Sequence, residues 1–420
     1  MLRSLPSVDR PLDARIPAPR SKSVTHRALI AAALAQGDSE IAYPLDSRDT
    51  RATAAGLDAL GIPVATRSGC WTVQGCGGRI AGKGRLDLEE SGTSLRLLLA
   101  VAALGAEPSR LDGAPRLRQR PLSELISTLR ECGAHITPDG LPLQVGGTPL
   151  HGGRLHVDGS RSSQFASALM LIGPCVQGGF NLRMTPPAVS LPYLELTRVV
   201  MRGFGVETIE LEPLVWRIPE GRYRARSFEV DGDHSSASYF LAAPLLTGGC
   251  VRMEKIDPLS AQADAVFPRI LAELGARVRS GDNWIEVRSD RGVPAFDLSM
   301  RHAPDLVPTL AVLGMFSEGP SVIRDIGHLR LKESDRMQQL AVNLRRLGRE
   351  VDVDGEHLRI GAPGSGLRAA RIETAGDHRI AMAFALAGLR VAGLTLDDVD
   401  CVAKSNPRFW TDWDEMIGAD

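Results

Sequence analysis

Apolar residues along this chain gather in six near-continuous runs. They read SKSVTHRALIAAAL from Ser21, SGTSLRLLLAVAAL from Ser91, RSSQFASALMLI from Arg161, DHSSASYFLAAPLL from Asp233, PDLVPTLAVLGMF from Pro304 and GDHRIAMAFAL from Gly376. Each is apolar round nearly all of its circumference, the mark of a helix buried on every side rather than an amphipathic one. Each opens on small or polar residues, and Ser23, Gly92, Ser162, Ser235, Asp305 and Asp377 are the expected caps for the free amides of the first turn. These caps recur every ~70 residues, a constancy that single caps do not have.

A second pattern has the same period and a different phase. A helix ends in Leu or a similar residue, a Gly follows, and a β-like stretch comes next, as in LGIPVAT from Leu60 and LGARVRS from Leu274. Gly61, Gly133, Gly205, Gly275 and Gly348 each suit the position just past a helix end, where a left-handed backbone is wanted. Alternating segments such as Trp71-Thr-Val, Trp216-Arg-Ile, Trp284-Ile-Glu-Val and Leu358-Arg-Ile then predict strands. The chain is therefore expected to be six copies of one unit mixing strands and helices, an α/β fold of the α+β type. Three copies per domain gives domains over 21–232 and over 233–420, the latter joined by 1–20, which completes the short last copy. A cleft between the domains is the expected ligand site.

Composition narrows the class. A chain of 420 residues exceeds the size at which one core stops growing, in keeping with two domains. Lys plus Arg is 49 against 50 Asp plus Glu, so no basic excess points to a nucleic-acid partner. No apolar run approaches a membrane span, and MLRSLPSVDR lacks a signal-like apolar core. The six scattered cysteines are read as free thiols in a reducing, cytoplasmic setting. GGRIAGKG at Gly77–Gly84 lacks the Ser or Thr of a phosphate loop, and no His or Cys spacing suggests a metal.

The chemistry sits at the helix starts. A buried helix directs partial positive charge out of its N-terminus, and several such ends make an anion site. Lys22 and Arg27 lie at the first cap, Arg96 at the second, His378 and Arg379 at the sixth. Two loops add Arg118 and Arg120, then Arg330, Lys332 and Arg336, and Lys404 follows near the end. A small, multiply anionic ligand is expected, since phosphate and carboxylate fit Arg forks. Asp305, Glu333 and Asp377 stand among these cations. Asp305 and Asp377 read equally as N-caps, and Glu333 as an ion-pair partner; a carboxylate in a cationic site can also move protons.

With these motifs in order, the chain resembles the EPSP synthases, the 3-phosphoshikimate 1-carboxyvinyltransferases. SKSVTHRAL, SGTSLR, RQRPLSEL, DGSRSSQFASALM, SLPYLELT, GDHSSASYF, APDLVPTLAVL, LKESDR, GDHRIAMAFAL and AKSNPRFW match from Ser21 to Trp410. The resemblance implies two three-repeat domains of the inverse α/β barrel type, with 21–232 as the shikimate 3-phosphate side. It implies transfer of the enolpyruvyl group of phosphoenolpyruvate to the 5-hydroxyl of shikimate 3-phosphate by addition–elimination, in a monomer without cofactor. By the same resemblance Lys22, Ser23, Arg27, Ser162, Ser163, Gln164, Ser190, Tyr193, Asp305 and Lys332 take shikimate 3-phosphate. Lys22, Gly92, Arg120, Gln164, Arg336, Arg379 and Lys404 take phosphoenolpyruvate. Lys22, Asp305 and Glu333 are the implied catalytic groups.

Departures from the family pattern are Arg20, Glu89-Glu90, Leu97, His328 and Gly376. Glu90 beside an anion site is expected to weaken binding unless Arg20 or another cation offsets it. The related UDP-N-acetylglucosamine enolpyruvyl transferases act through a loop cysteine, and the loop Arg116–Leu122 has none. A metabolite-binding sensor is the alternative outside enzymes, and the full set of acids and bases speaks against it.

Overall fold

The six apolar runs form the central helices α1 (Lys22–Leu34), α2 (Gly92–Ala103), α3 (Gln164–Ile172), α4 (His234–Thr247), α5 (Val307–Met315) and α6 (His378–Gly388). The computed structural model describes residues 2–290, 292–362 and 366–419. The chain divides into two units, Arg20–Val230 and Met1–Pro19 with Asp231–Asp420. Within the first, α1, α2 and α3 pack on one another; within the second, α4, α5 and α6 do the same. Every residue of α4, α5 and α6 is buried. Each buried Leu, Ile or Val contributes roughly 1.5–3 kcal/mol, so an all-apolar helix is stable only where neighbours cover its whole circumference.

Among the described residues, six small sheets and six further helices supply that cover. Five sheets have four strands and one plan: a parallel pair continued by an antiparallel hairpin. In the second repeat Arg85–Asp87 runs parallel to Ser109–Asp112 across α2, and the hairpin Ile136–Thr137/Leu143–Val145 follows. The third repeat crosses over through α3 in the same way, and the fifth through α5. The outer helices end where the repeated glycines stand, and Gly61, Gly133, Gly205, Gly275 and Gly348 all have φ between +84° and +98°.

The N-terminal segment corrects one expectation. Residues 1–20 do not complete the last repeat as a block. Arg3–Ser4 pairs antiparallel with Thr395–Leu396 in the sixth sheet, which has three strands. Leu12–Pro17 instead runs parallel to Gly249–Glu254 in the fourth. Likewise Ser227–Glu229, at the end of the third repeat, supplies the edge strand of the first, parallel to Glu40–Ala42. A parallel pair needs a long crossover, so the first and fourth repeats recruit that strand from elsewhere in the sequence.

Several caps are corrected as well. α1 is capped by Ser21, whose hydroxyl accepts from Val24 N, and Ser23 lies inside the helix. Ser91 caps α2 ahead of Gly92, and Asp233 caps α4 ahead of Ser235. The Ser162 hydroxyl accepts from Gln164 N at 3.2 Å, one residue before the geometric cap, Ser163. Asp305 sits in the 3-10 turn Pro304–Leu306 and caps nothing, whereas Asp377 caps α6. Among the described residues no helix is long and apolar enough to cross a membrane.

Gly275 has φ +90°, and a Cβ there would meet nothing within 4 Å. Gly275→Ala is therefore expected to cost about 1 kcal/mol through backbone strain alone. Urea unfolding checks this as a lowered midpoint with an unchanged slope.

Candidate active site

In the Arg20–Val230 unit, polar side chains collect around Arg27 on α1. This guanidinium is buried, at 2% exposure. Nε donates to Thr197 Oγ1 at 2.8 Å, Nη1 to the Ser23 carbonyl at 2.9 Å, and Nη2 to Ser167 Oγ at 3.3 Å and the Tyr193 carbonyl at 3.4 Å. All four acceptors are neutral. Burial pushes the Arg27 pKa down to about 10, with the neighbouring Tyr193 opposing, so the group stays charged at neutral pH. Its ring neighbour is Tyr193, centred 5.9 Å away. Ser23 is one turn before Arg27; Ser162 and Ser163 open the helix that carries Ser167; Ser190 and Tyr193 open the helix Pro192–Gly203 that carries Thr197. Ser190 holds a left-handed backbone, φ +57°, which fixes the turn into that helix.

Lys22, at the first turn of α1, is paired with Asp49 at 3.2 Å, both largely buried. Behind this pair runs a buried hydroxyl chain: His26 Nδ1 to Thr53 Oγ1 at 2.8 Å, Thr53 to Ser94 at 2.7 Å, and Ser94 to Ser91 at 2.7 Å. It ties the starts of α1, α2 and the helix Arg48–Ala59 together. On α2, Arg96 donates to Gln164 Oε1 at 2.7 Å and to the Pro121 carbonyl at 3.2 Å, while Gln164 Nε2 donates to Thr93 at 3.1 Å. Arg96 thereby fixes the loop that carries Arg120. Arg120 lies against Gly92, where a Cβ would stand 2.6 Å from its Cζ. Of the departures, Arg20 is bound to the Val230 carbonyl at 2.9 Å and lies over the Tyr43 ring. Glu89 and Glu90 line a cavity of about 510 Å³ with Arg85, Arg110 and Arg118. Arg118 is held there by Asp112, and Leu97 is buried within α2.

In the other unit, Arg336 is the hub. Nε and Nη2 form a fork on Asp377 at 2.8 and 3.3 Å, Nη1 reaches Asp305 at 3.0 Å, and Nη2 reaches Glu333 at 2.6 Å. Arg379 donates to the second Asp305 oxygen at 2.7 Å and to Tyr239 at 3.5 Å. Burial alone would lower the Arg336 pKa, but the charges of Asp377, Glu333 and Asp305 outweigh it and hold the group firmly protonated. Lys332 follows the 3-10 turn Gly327–Leu331 directly, and Lys404 is buried at the end of another, Asp400–Lys404. His328, in the first of these turns, is pushed down to about pKa 3 by burial and by Lys332, and its Nε2 is buried with no hydrogen-bond partner in the structure. Arg330 instead serves the Gly355 carbonyl. Gly376, at φ +68°, turns the chain into the Asp377 cap. Sequence reasoning missed Asp49, Ser167, Thr197 and the His26 chain, whose only signal is polar residues within otherwise apolar helices.

One unit thus presents a buried cation on neutral partners, and the other a lattice of arginines and carboxylates on helix starts. Solved structures share this fold. An EPSP synthase from Acinetobacter baumannii superposes with a TM-score of 0.81 at 26% identity, covering 99% of this chain and 98% of that one. The enolpyruvyl transferase NikO from Streptomyces tendae superposes with a TM-score of 0.78 at 21% identity over 100% and 97%. The fold is therefore that of the enolpyruvyl transferases. The family model of EPSP synthase (3-phosphoshikimate 1-carboxyvinyltransferase) matches residues 7–413. Relatives named 3-phosphoshikimate 1-carboxyvinyltransferase include one from Nostoc punctiforme, 38% identical over 98% of both chains, and one from Methanosphaerula palustris, 41% identical over 95% of this chain and 96% of its own. The chain belongs to the EPSP synthase family.

Burial drives the His26 pKa down to about 3, opposed by Asp49 and reinforced by Lys22 and Arg27. An unfolded histidine titrates near ~6.5. Between these values the unfolded chain binds a proton that the folded chain refuses, so stability falls as pH drops below ~6.5. Thermal midpoints between pH 6.5 and 5 should therefore decline less steeply in His26→Gln than in the parent.

Proposed function

We propose that the residues around Arg27 and Lys22 hold the phosphate groups of the substrates, and that the Asp305–Glu333–Arg336–Arg379 lattice conducts the proton transfers. The reaction is enolpyruvyl transfer from phosphoenolpyruvate to shikimate 3-phosphate, in aromatic amino acid biosynthesis. The observation that carries the residue-level reading is Arg27: a buried guanidinium bonded to four neutral oxygens. A charge kept out of water without a carboxylate is costly, and a phosphate dianion at Ser23, Ser162, Ser163, Gln164, Ser190 and Tyr193 relieves that cost. Lys332 and Asp305 meet the ring hydroxyls, and Lys22, Gly92, Arg120, Gln164, Arg336, Arg379 and Lys404 meet phosphoenolpyruvate.

Asp305 with both oxygens on arginines is a weak base. The phosphoenolpyruvate carboxylate competes for the same two guanidiniums, and on binding it takes them over. Asp305 is then free to accept the 5-hydroxyl proton as that oxygen attacks the enolpyruvyl carbon, and Glu333 protonates the methylene carbon. In the second half Glu333 takes a methyl proton back, which restores its acid form, and phosphate leaves toward Lys22 with the proton that Asp305 took. Fixed cations around developing charge and an acid–base pair in register are what such a path requires.

The test is turnover with both substrates, followed by phosphate release. Activity with UDP-N-acetylglucosamine in place of shikimate 3-phosphate, or binding without turnover, would overturn the reading. Lys22→Met and Glu333→Gln are each expected to lower kcat by about 100-fold or more with the fold retained, the thermal midpoint falling in Lys22→Met because Asp49 is left buried without its ion-pair partner Lys22. Gly92→Ala displaces the Arg120 guanidinium rather than backbone. It should raise the KM for phosphoenolpyruvate and raise the inhibition constant of glyphosate, a longer occupant of the same pocket, by a larger factor. Parallel inhibition curves for parent and variant check this.

A further inference from the structure

The buried guanidinium of Arg27 is gripped along one edge. Nε donates to Thr197 Oγ1 at 2.8 Å and Nη2 to Ser167 Oγ at 3.3 Å, and these two hydroxyls are themselves bonded at 3.0 Å. The fork between Nε and Nη2 is thus filled by protein. Both hydroxyl side chains are fully buried, Thr197 within the helix Pro192–Gly203 and Ser167 within α3. Nη1 reaches the Ser23 carbonyl at 2.9 Å, and Nη2 reaches the Tyr193 carbonyl only at 3.4 Å, long for a hydrogen bond. Among the described residues every N–H of the group but one, on Nη1, has an acceptor. A hydroxyl inside a helix can satisfy its proton on the carbonyl one turn back, as Thr197 does with Tyr193 at 2.8 Å. A methyl in its place would leave the helix intact and bury no polar group. The Thr197 oxygen is therefore explained by what it accepts, the Nε proton of a buried cation.

We propose that Thr197, backed by Ser167, is a positioning residue for shikimate 3-phosphate: it closes the Nε edge of Arg27 and leaves the Nη1 end for an anionic group of the substrate. This rests on the reading of Arg27 as a ligand of that substrate. An arginine commonly takes carboxylate or phosphate through two parallel N–H bonds. Here the Nε–Nη2 fork is spent on the two hydroxyls, so the substrate oxygen meets Nη1, and Nη2, held by two long bonds, can turn to it. Thr197 has one proton, which goes to the Tyr193 carbonyl or to Ser167, and in either case a lone pair faces Nε. Because both hydroxyls are neutral, they orient the guanidinium without cancelling its charge, as a carboxylate in their place would do. Without the Thr197 oxygen, Nε is an unpaired donor in a buried setting. The guanidinium then rotates to find an acceptor, and the Nη1 end leaves the substrate. No bond forms or breaks at Thr197, which acts only through Arg27.

The experiment measures kcat and the KM of each substrate, with the other saturating, for the parent, Thr197→Val, Thr197→Ser, Ser167→Ala, Arg27→Met and the double variant Arg27→Met/Thr197→Val. Thr197→Val should raise the KM for shikimate 3-phosphate about tenfold, the scale of one hydrogen bond to a charged group. Its kcat and its KM for phosphoenolpyruvate should stay within about twofold of the parent, the mark of lost ground-state binding. Thr197→Ser keeps the oxygen and should restore the parent KM. Ser167→Ala loses the longer bond and should raise the same KM about threefold. A merely structural role lowers the folded fraction, and so the apparent kcat, without moving the KM of one substrate. Arg27→Met removes a charge buried without a carboxylate, so it should fold, and adding Thr197→Val to it should change the KM no further. A parent-like KM in Thr197→Val, an equal rise for both substrates, or a further rise in the double variant overturns the inference. If Thr197→Val is not recovered folded, Ser167→Ala decides, and a parent-like KM in it overturns the inference. Arg27→Met tells the two readings apart. A raised KM for shikimate 3-phosphate in it leaves the ligand assignment standing whatever Thr197 shows, and a parent-like KM removes that assignment together with the inference.

Discussion

Everything in this molecule follows from helices that have no polar face. α4, α5 and α6 are buried along their entire length, and α1, α2 and α3 nearly so. Such helices must lie inside and push the sheets outward. Their sides leave little room for chemistry, so polar residues gather toward the first turns, where free amides need partners in any case. Much of the proposed site accordingly lies at helix starts, with Arg120, Lys332, Glu333 and Lys404 added from loops and 3-10 turns. The side chains that lie deeper make the point: His26, Arg27, Arg96 and Ser238 are each hydrogen-bonded to side chains of neighbouring helices.

The two units solve the problem of buried charge in opposite ways. Around Arg27 the acceptors are hydroxyls and carbonyls, and the positive charge is left over. Around Arg336 three carboxylates surround one guanidinium, and one of them, Asp305, also holds the guanidinium of Arg379. The first arrangement suits holding an anion throughout a reaction. The second suits the exchange proposed above, in which an incoming carboxylate meets arginines already oriented and releases Asp305 from them. Preorganisation of this kind lets charge move with little rearrangement of the surroundings.

Much of this was legible in the sequence, for identifiable reasons. The glycines after the outer helices were readable because a left-handed residue there strongly favours Gly, and the apolar runs because no amphipathic alternative fits them. The caps of α1 and α4 were misplaced by two residues. SKS and DHSS each offer several good caps, and only the backbone dihedrals decide among them. Asp305 looked like a cap by its neighbours and is an arginine ligand by its geometry. Lys22, Arg27, Glu333 and Arg336 stood out in motifs. Thr197 and Ser167, the partners of Arg27, lie 170 and 140 positions away from it, and nothing local marks them.

The strand exchange at the chain's two crossings has a consequence for biosynthesis. The unit Arg20–Val230 is contiguous, and Ser227–Glu229 closes it as the last strand to be made. In the other unit Leu12–Pro17 waits for its partner Gly249–Glu254, which emerges from the ribosome only after the entire first unit. Arg3–Ser4 waits longer still, for Thr395–Leu396. The leading segment must therefore remain unpaired while a complete neighbouring unit folds beside it, a period in which a free strand edge invites wrong partners. Its composition suits that wait: LDARIP alternates, burying Leu12 and Ile16 while Asp13 and Arg15 stay at the surface. The charged positions discourage association until the right edge arrives. One unit is thus finished by the last residues translated in it, and the other is held open by the first.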